Sequence, residues 1–158
     1  MSDGGLAARM ASAVGAFAAA DWNALAGDNP FMSHEFLTAL EESGSVGPGT
    51  GWQPLPIVIA AEGGPPLAAL PAYAKGHSQG EYVFDHAWAD AWERAGGRYY
   101  PKLQIAAPFT PATGPRLLLS DPAHAAPLLG AAEQLCLQNG WSGAHATFVE
   151  PGQIALFE

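Results

Sequence analysis

A polar segment in the middle of the chain combines residue types that can transfer protons. If the segment is extended, the two-residue period of a strand puts six polar side chains on one face: Tyr73, Lys75, His77, Gln79, Glu81 and Asp85. A face that carries an ammonium, an imidazole and two carboxylates could perform general acid–base chemistry. The solvated outer face of a half-buried strand shows the same alternation, so the pattern leaves both interpretations open.

The same segment contains a serine motif. Residues 76–80 read Gly-His-Ser-Gln-Gly and match G-x-S-x-G, the sharp strand-to-helix turn that exposes the serine of α/β-hydrolases. The residues that follow, Glu81–Phe84, favour a strand and not the helix that this turn requires. The motif is thus out of its usual context, and a serine hydrolase that uses Ser78, with Asp121 and His145 as acid and base, is only an alternative function.

Metal and nucleotide motifs are missing from the sequence. Its five histidines form no H-E-x-x-H pair, and Cys136 has no companion. Neither G-x-x-x-x-G-K-[ST] nor G-x-G-x-x-G occurs. We therefore predict no metal site.

Composition limits the class of protein. The chain has 158 residues, of which 49% are hydrophobic and 13% charged, which suits one globular domain and argues against disorder. The one cysteine excludes an internal disulfide. No signal-peptide pattern is present, and no apolar run reaches the roughly 18 residues of a membrane span. We expect a cytoplasmic protein without a membrane span.

Charge is unevenly distributed along the chain. The net charge is −9, which disfavours nonspecific binding to nucleic acid. Residues 73–116 nevertheless carry a local net charge of +1, whereas the rest of the chain carries −10. This segment could bind an anionic ligand, or it could form local ion pairs such as Asp90 with Arg94.

The hydrophobic pattern predicts alternating strands and helices. We expect a helix that begins at Asn29-Pro30, a hairpin of Leu55–Ala61 and Leu67–Tyr73 around Gly63-Gly64, and a helix from Asp85 to Ala95. Further strands are predicted at 81–84, 103–107, 116–119 and 147–157, with a helix around Leu128–Cys136 before Asn139-Gly140. This order suggests a mixed sheet flanked by helices.

Three groups of residues, taken together, resemble the FemAB-like group of the GNAT superfamily of N-acetyltransferases. They are residues 29–54, which begin Asn-Pro-Phe-Met-Ser-His-Glu-Phe-Leu, residues 71–85, which contain Lys-Gly-His-Ser-Gln-Gly-Glu-Tyr-Val-Phe-Asp, and residues 99–116, with Tyr-Tyr-Pro-Lys-Leu and Pro-Phe-Thr-Pro. The resemblance spans Trp22 to about Leu119 and accounts for the serine motif as part of a family segment.

The resemblance implies an α/β (α+β) fold, with a GNAT-like, mostly antiparallel mixed sheet in which two central strands splay. Relatives are longer and contain two such modules, so residues 1–158 are expected to be one module at the front of a longer protein. The donor implied is an acyl-CoA or an aminoacyl-tRNA, and the acceptor is a small molecule or a peptidoglycan precursor. The GNAT signature [RQ]-x-x-G-x-[GA] is absent after Arg116, which is consistent with a module that shapes the acceptor site.

These observations lead to an acyltransferase-type function with assigned residues. Glu81 or His77 is the expected base that removes a proton from an acceptor amine. The expected substrate-binding residues are Tyr73, Lys75, Asp85, Tyr100, Lys102, Thr110 and Arg116. Among these, Lys75, Lys102 and Arg116 would contact anions, and Tyr100 and Thr110 would donate hydrogen bonds. A noncatalytic ligand-binding module is a further alternative.

Overall fold

The computed structural model describes residues 5–158, which form eight strands and four α-helices. The strands are β1 (Leu6–Met10), β2 (Trp52–Pro54), β3 (Ile57–Ala61), β4 (Pro66–Leu70), β5 (Ala72–Lys75), β6 (Lys102–Ile105), β7 (Leu118–Leu119) and β8 (Ala144–Ala146). The helices are α1 (Ala19–Ala26), α2 (His34–Glu42), α3 (His86–Arg94) and α4 (Ala125–Asn139). Short 3-10 helices lie at Val14–Ala16, Pro30–Met32, Pro122–His124 and Pro151–Leu156.

The strands form two four-stranded sheets. The first sheet has the order β1-β3-β4-β7, and all its pairings are antiparallel. The second has the order β2-β5-β6-β8, in which only the β6–β8 pair is parallel. The predicted α+β fold with a mixed, mostly antiparallel sheet is confirmed, whereas the splayed pair of strands stays a prediction.

The two sheets are joined by one long hairpin that bends at prolines. One arm runs from β2 into β3 and the other from β4 into β5, and the Leu55 amide donates to the Ala72 carbonyl at 2.8 Å across the bend. Pro56 and Pro71 lie at the break, and neither can donate a ladder hydrogen bond. At this bend the paired strands pass from the first sheet into the second.

The first sheet is covered on both faces at its central strands β3 and β4, which are apolar throughout, whereas the edge strand β1 is exposed. Ile57 and Ile59 pack with α4, while Val58 between them packs with α1 and α2. This continuous apolar run is typical of a strand buried on both sides. In the second sheet one face, with Leu103 and Ile105, also packs against α4. Its opposite face is polar and carries the candidate site.

Local signals explain several elements and correct others. The hairpin is confirmed, but the predicted helix at Asn29 is a 3-10 turn, and α2 begins after Ser33, whose hydroxyl accepts the Phe36 amide. The strand predicted at 81–84 is wrong, since this stretch is irregular. The strand predicted at 147–157 is also wrong, because β8 ends at Ala146 and Pro151 begins a 3-10 helix.

Helix α4 offers a test of the core. Leu128 is fully buried between α4 and the sheets, whereas Leu137 on the same helix is 75% exposed. We expect Leu128→Ala to lower the free energy of unfolding by about 2–5 kcal/mol, because it leaves a cavity. Leu137→Ala, measured alongside it by urea denaturation, should change this free energy by about 0.5 kcal/mol or less. Equal losses in both variants would contradict this packing of α4.

Candidate functional site

Residues 76–85 form a loop that folds over the polar face of the second sheet. Strand β5 ends at Lys75, so the extended polar face predicted from Tyr73 to Asp85 is wrong beyond that residue. Two hydrogen bonds hold the loop down: the Trp52 indole donates to the Gln79 carbonyl at 2.9 Å, and the Phe109 amide donates to the Gly80 carbonyl at 3.2 Å. The turn carries polar side chains back over the strands.

Two lysines lie opposite each other beneath this loop. Lys75 on β5 and Lys102 on β6 are partners in the strand register, and both are buried, at 0% and 1% exposure. Like charges in directly opposed positions repel each other, and removal from water raises the cost. The loop supplies two compensating carboxylates, Glu81 and Asp85. We call these four residues the lysine–carboxylate cluster.

The Lys102 ammonium is the centre of the cluster. Its Nζ lies 2.9 Å from Glu81 Oε2, 2.9 Å from Asp85 Oδ2 and 3.2 Å from Ser78 Oγ. An ammonium has three N–H donors, so these three acceptors use all of them. Lys102 is therefore a fixed positive charge that cannot also donate to a ligand.

The Lys75 ammonium is held more loosely. It donates to the Gln79 carbonyl at 3.1 Å, lies 3.6 Å from the centre of the Trp52 ring, and is 3.9 Å from Glu81 Oε1. Burial lowers the pKa of Lys75 to about 8, with Glu81 opposing the shift and Lys102 adding to it. Lys75 thus loses its proton more easily than an ordinary lysine.

The two carboxylates have opposite pKa shifts. Burial raises the pKa of Glu81 against the opposing effect of Lys102 and Lys75. Burial also acts to raise the pKa of Asp85, but hydrogen bonds from Tyr99 and Lys102 outweigh it and lower this pKa to about 2. Asp85 stands at the N-cap position of α3 without capping it, since its side chain turns towards the cluster. Asp85 is therefore an anion at neutral pH.

The cluster reaches the surface at Asp85, Ser78 and Tyr100, which we call the mouth. The Asp85 side chain is 11% exposed, compared with 1% for Glu81. The hydroxyls of Ser78 and Tyr100 lie 2.6 Å apart, and Tyr100 is half-buried. Asp85 Oδ1 has no hydrogen-bond partner among the described residues. This oxygen is itself buried, so the mouth holds an unpartnered carboxylate oxygen just beneath its surface.

A family model supplies the identification. The model, FemAB-like, is described as peptidoglycan biosynthesis/recognition, and it matches residues 13–158. The chain belongs to the FemAB-like family. No curated protein and no solved structure matches it. The resemblance found in the sequence is confirmed, and the family implies a peptidoglycan-related function.

In this FemAB-like chain, the structure brings together most of the predicted site residues. Lys75, Glu81, Asp85, Tyr100 and Lys102 meet at the cluster or its mouth. Tyr73 lies on the same sheet face, with a buried hydroxyl that lacks a partner among the described residues. The predicted local ion pairing within residues 73–116 is confirmed. The partners are the two lysines with Glu81 and Asp85, and not Asp90 with Arg94.

Three predicted residues have other surroundings. The His77 ring contacts backbone through both nitrogens: Nε2 lies 3.0 Å from the Thr50 carbonyl, and Nδ1 accepts from the Gln79 amide. The Arg116 guanidinium is buried and donates to three backbone carbonyls, those of Thr147, Pro115 and Ala112. The Thr110 hydroxyl donates to the Pro108 carbonyl. The catalytic assignment of His77 and Glu81 stays a prediction.

Ser78 does not stand on a nucleophile elbow. Strand β5 ends at Lys75, and the next helix begins only at His86. Ser78 is 7% exposed, and its Oγ contacts Tyr100 and Lys102. No histidine in residues 5–158 is hydrogen-bonded to it. The Asp121 side chain caps a 3-10 turn by accepting the Ala123 amide. This geometry disfavours the serine hydrolase alternative.

Residues 5–158 hold neither a cluster of metal ligands nor a membrane-spanning helix. In that range no three His, Cys, Asp or Glu side chains are grouped as metal ligands would be. No helix described there is long and apolar enough to cross a membrane.

The sequence analysis did not assign Gln104 or His145 as site residues of a transferase, although both lie on the polar face. Gln104 pairs in register with Tyr73 on one side and His145 on the other, so all three side chains point to the same face. Gln104 Oε1 is buried and lacks a partner among the described residues. The alternation of Lys102 and Gln104 along β6 is the sequence signal that could have indicated Gln104.

The Asp85 carboxylate predicts a stability change in acid. Its folded-state pKa of about 2 lies below the unfolded value of 3.8, so its contribution is present above pH 4 and is lost as pH falls towards 2. The stability of the wild type relative to Asp85→Asn should therefore fall over that range, as followed by urea denaturation at pH 6, 4 and 3. Asp90→Asn, which removes an exposed carboxylate from α3, should show a much smaller change relative to wild type. A pH-independent difference for Asp85→Asn would contradict the ion pair.

Gly80 tests how the loop is held over the cluster. Its φ is +81°, and an added Cβ would lie 2.7 Å from the Phe109 ring. Gly63 has a similar φ of +69° but open space around it. Gly63→Ala should cost about 1–2 kcal/mol of unfolding free energy for the backbone alone. Gly80→Ala should cost about 1–3 kcal/mol more because of the collision, as measured by urea denaturation. Equal costs would show that Phe109 does not clamp the loop.

Proposed function

We propose that this FemAB-like chain takes part in acyl or aminoacyl transfer to an amine of a peptidoglycan precursor, and that the mouth binds the reacting groups. The observation that carries the proposal is the buried, unpartnered Asp85 oxygen, together with the Tyr100–Ser78 hydroxyl pair and the Lys102 ammonium that bonds both Asp85 and Ser78. The family supports the peptidoglycan-related part of the proposal.

Asp85 is the group that receives the acceptor amine. Its carboxylate is anionic at neutral pH, and one oxygen is already held by Lys102 and Tyr99. The other oxygen is buried and has no partner among the described residues, and it would accept a hydrogen bond from an ammonium or amine that enters at the exposed edge of the side chain. A charge-assisted bond of this kind is shorter and stronger than a neutral one and would fix the position of the nitrogen. The acceptor then lies within reach of the phenol at the mouth.

Tyr100 is the group that stabilises the acyl carbonyl. Ser78 Oγ accepts from Lys102, so its own hydrogen can be directed at the Tyr100 oxygen 2.6 Å away. The Tyr100 hydrogen is then available to the carbonyl oxygen of an ester or thioester. As the amine attacks, negative charge develops on that oxygen, and a preorganised donor stabilises it. Lys102 strengthens this donor through Ser78 without touching the substrate.

Lys75 and Glu81 are positioning residues in this proposal. The Glu81 side chain is 1% exposed and bridges both ammoniums, at 2.9 Å from Lys102 and 3.9 Å from Lys75. Removing Glu81 would leave two buried lysines facing each other, with Asp85 as the one remaining carboxylate of the cluster. Breaking a buried ion pair costs about 3–5 kcal/mol, so the loop and the mouth depend on Glu81. Arg116 and Thr110 support the neighbouring loop instead of contacting the donor.

The donor is an acyl-CoA or an aminoacyl-tRNA, and both present the same reacting carbonyl. The amine nitrogen bonds to the carbonyl carbon, the carbon–sulfur or carbon–oxygen bond breaks, and the leaving thiol or alcohol takes up the proton that the amine loses. Nothing in the mouth distinguishes these two leaving groups. The assay of the proposal therefore uses both donors.

Tyr100 gives the sharpest test of the proposed transfer. We expect Tyr100→Phe to lower kcat by about 100-fold or more, because one donor to the developing oxyanion is lost. The measurement is amide formation, followed by mass spectrometry, between a peptidoglycan stem peptide with a free amine and either acetyl-CoA or alanyl-tRNA. Tyr82→Phe is the matched control, since Tyr82 is 54% exposed and its hydroxyl bonds no described residue, and it should keep full activity.

Two results would contradict the proposal. One is a Tyr100→Phe variant as active as the wild type. The other is labelling of Ser78 by a fluorophosphonate probe together with ester hydrolysis, which would instead support a serine hydrolase. Binding of the stem peptide by isothermal titration calorimetry, reduced in Asp85→Asn, provides a readout that does not require turnover.

A further inference from the structure

The polar face of the second sheet holds a histidine that lies beside the cluster. Strand β8 runs parallel to β6, with His145 in register with Gln104. Residues two apart on a strand share a face, so His145 lies on the same side as Lys102 and diagonal to it. The His145 ring packs edge-on against Tyr99, with centroids 5.8 Å apart. Tyr99 in turn donates to Asp85 at 2.7 Å, which connects the histidine to the mouth.

The His145 ring is free to exchange a proton. It is half-buried, and neither ring nitrogen makes a hydrogen bond or ion pair with any residue in 5–158. His77 is the contrasting case, because backbone groups contact both of its nitrogens. A general base must present an unoccupied lone pair to the reacting proton, and His145 satisfies that condition.

The charges around His145 keep it neutral at physiological pH. Burial lowers its pKa below 6.5, Lys102 on β6 adds to this effect, and Asp85 before α3 opposes it. Tyr99, whose pKa burial raises, faces the ring as an uncharged phenol. Gln104 and Thr147, joined by a hydrogen bond of 3.0 Å, are the uncharged neighbours along β6 and the end of β8. The imidazole is therefore in its proton-accepting form at pH 7.

The two carboxylates are less suited to this role. The Glu81 side chain is 1% exposed, and its carboxylate bridges Lys102 and Lys75, so both of its oxygens face ammonium groups of the cluster. Asp85 has a pKa of about 2 and is a weak base, although it is well placed to bind an amine. A proton acceptor with a pKa nearer to neutral must come from another element.

We propose that His145 is the proton acceptor of the transfer reaction, an inference that rests on the proposed function. The amine nitrogen bonds to the acyl carbon, and its N–H proton passes to the free nitrogen of His145. The carbon–sulfur or carbon–oxygen bond then breaks, and His145 returns the proton to the leaving thiolate or alkoxide. The histidine ends the cycle neutral, and no other reactant is needed. His145 is thus a further catalytic residue, supplied by β8 and not by the polar segment around the serine motif.

The test is chemical rescue. His145→Ala should lower kcat by about 100-fold or more while the KM for the stem peptide changes less than threefold, because Asp85 still binds the amine. Added imidazole should restore part of the lost activity, since it can occupy the vacated space. His77→Ala is the matched control, and imidazole should not raise its activity. In the pH profile of kcat/KM, the wild type should show a limb that reports a base with a pKa below 6.5. This limb should disappear in His145→Gln.

The outcomes of these assays distinguish failure of the His145 inference from failure of the proposed function. If the wild type forms amide but His145→Ala retains its kcat, or if a folded His145→Ala is not rescued by imidazole, this inference is wrong and the proposed function stands. If the wild type forms no amide with either donor, both fall. For variants that do not fold, the wild-type ring is followed by NMR. His145 should titrate below pH 6.5 and its signals should shift when the stem peptide is added, and an unresponsive ring would overturn the proposal.

Discussion

Lys75 and Lys102 face each other across β5 and β6, and the polar half of the fold depends on how their repulsion is resolved. Both ammoniums are buried, so neither charge is screened by water. The loop of residues 76–85 returns over the strands and brings Glu81 and Asp85, the carboxylates that pair with these lysines among residues 5–158. Trp52 covers Lys75 through its ring at 3.6 Å and holds the loop through its indole N–H. The geometry of the site is therefore a consequence of two buried cations.

The bend in the hairpin explains why the two buried lysines lie in the second sheet and not in the first. The central strands of the first sheet, β3 and β4, are apolar on both faces and pack between α4 and the pair α1–α2. Beyond Pro71 the chain enters the second sheet, of which one face, with Ala72, Leu103 and Ile105, joins the same core against α4. The other face is free to carry polar groups without disrupting the main core. Stability and chemistry are thus divided between two sheets that one bent hairpin joins.

Local pattern predicted the hairpin, α3 and α4, because β-branched runs, Gly63-Gly64 and Gly140 act within a few residues. It failed at 81–84, where Tyr82-Val83-Phe84 favours a strand but ion pairs to distant lysines decide the path. The resemblance named most of the cluster, since its residues lie in two family segments. It did not name His145 for the transferase, because the parallel pairing of β8 with β6 joins positions about forty residues apart, and no local signal reports such a pairing.

The proton balance of the cluster argues for dividing the reaction among several groups. Two ammoniums and two carboxylates give a neutral set, in which burial favours the uncharged form of Lys75 and of Glu81 alike. A proton added to Glu81 would leave Lys102 with one charged partner and would weaken the loop. A network that holds the fold therefore cannot also accept the proton of each turnover. Binding at Asp85, carbonyl stabilisation at Tyr100 and proton transfer at His145 separate the roles, so the fixed charges stay constant while the reacting groups change.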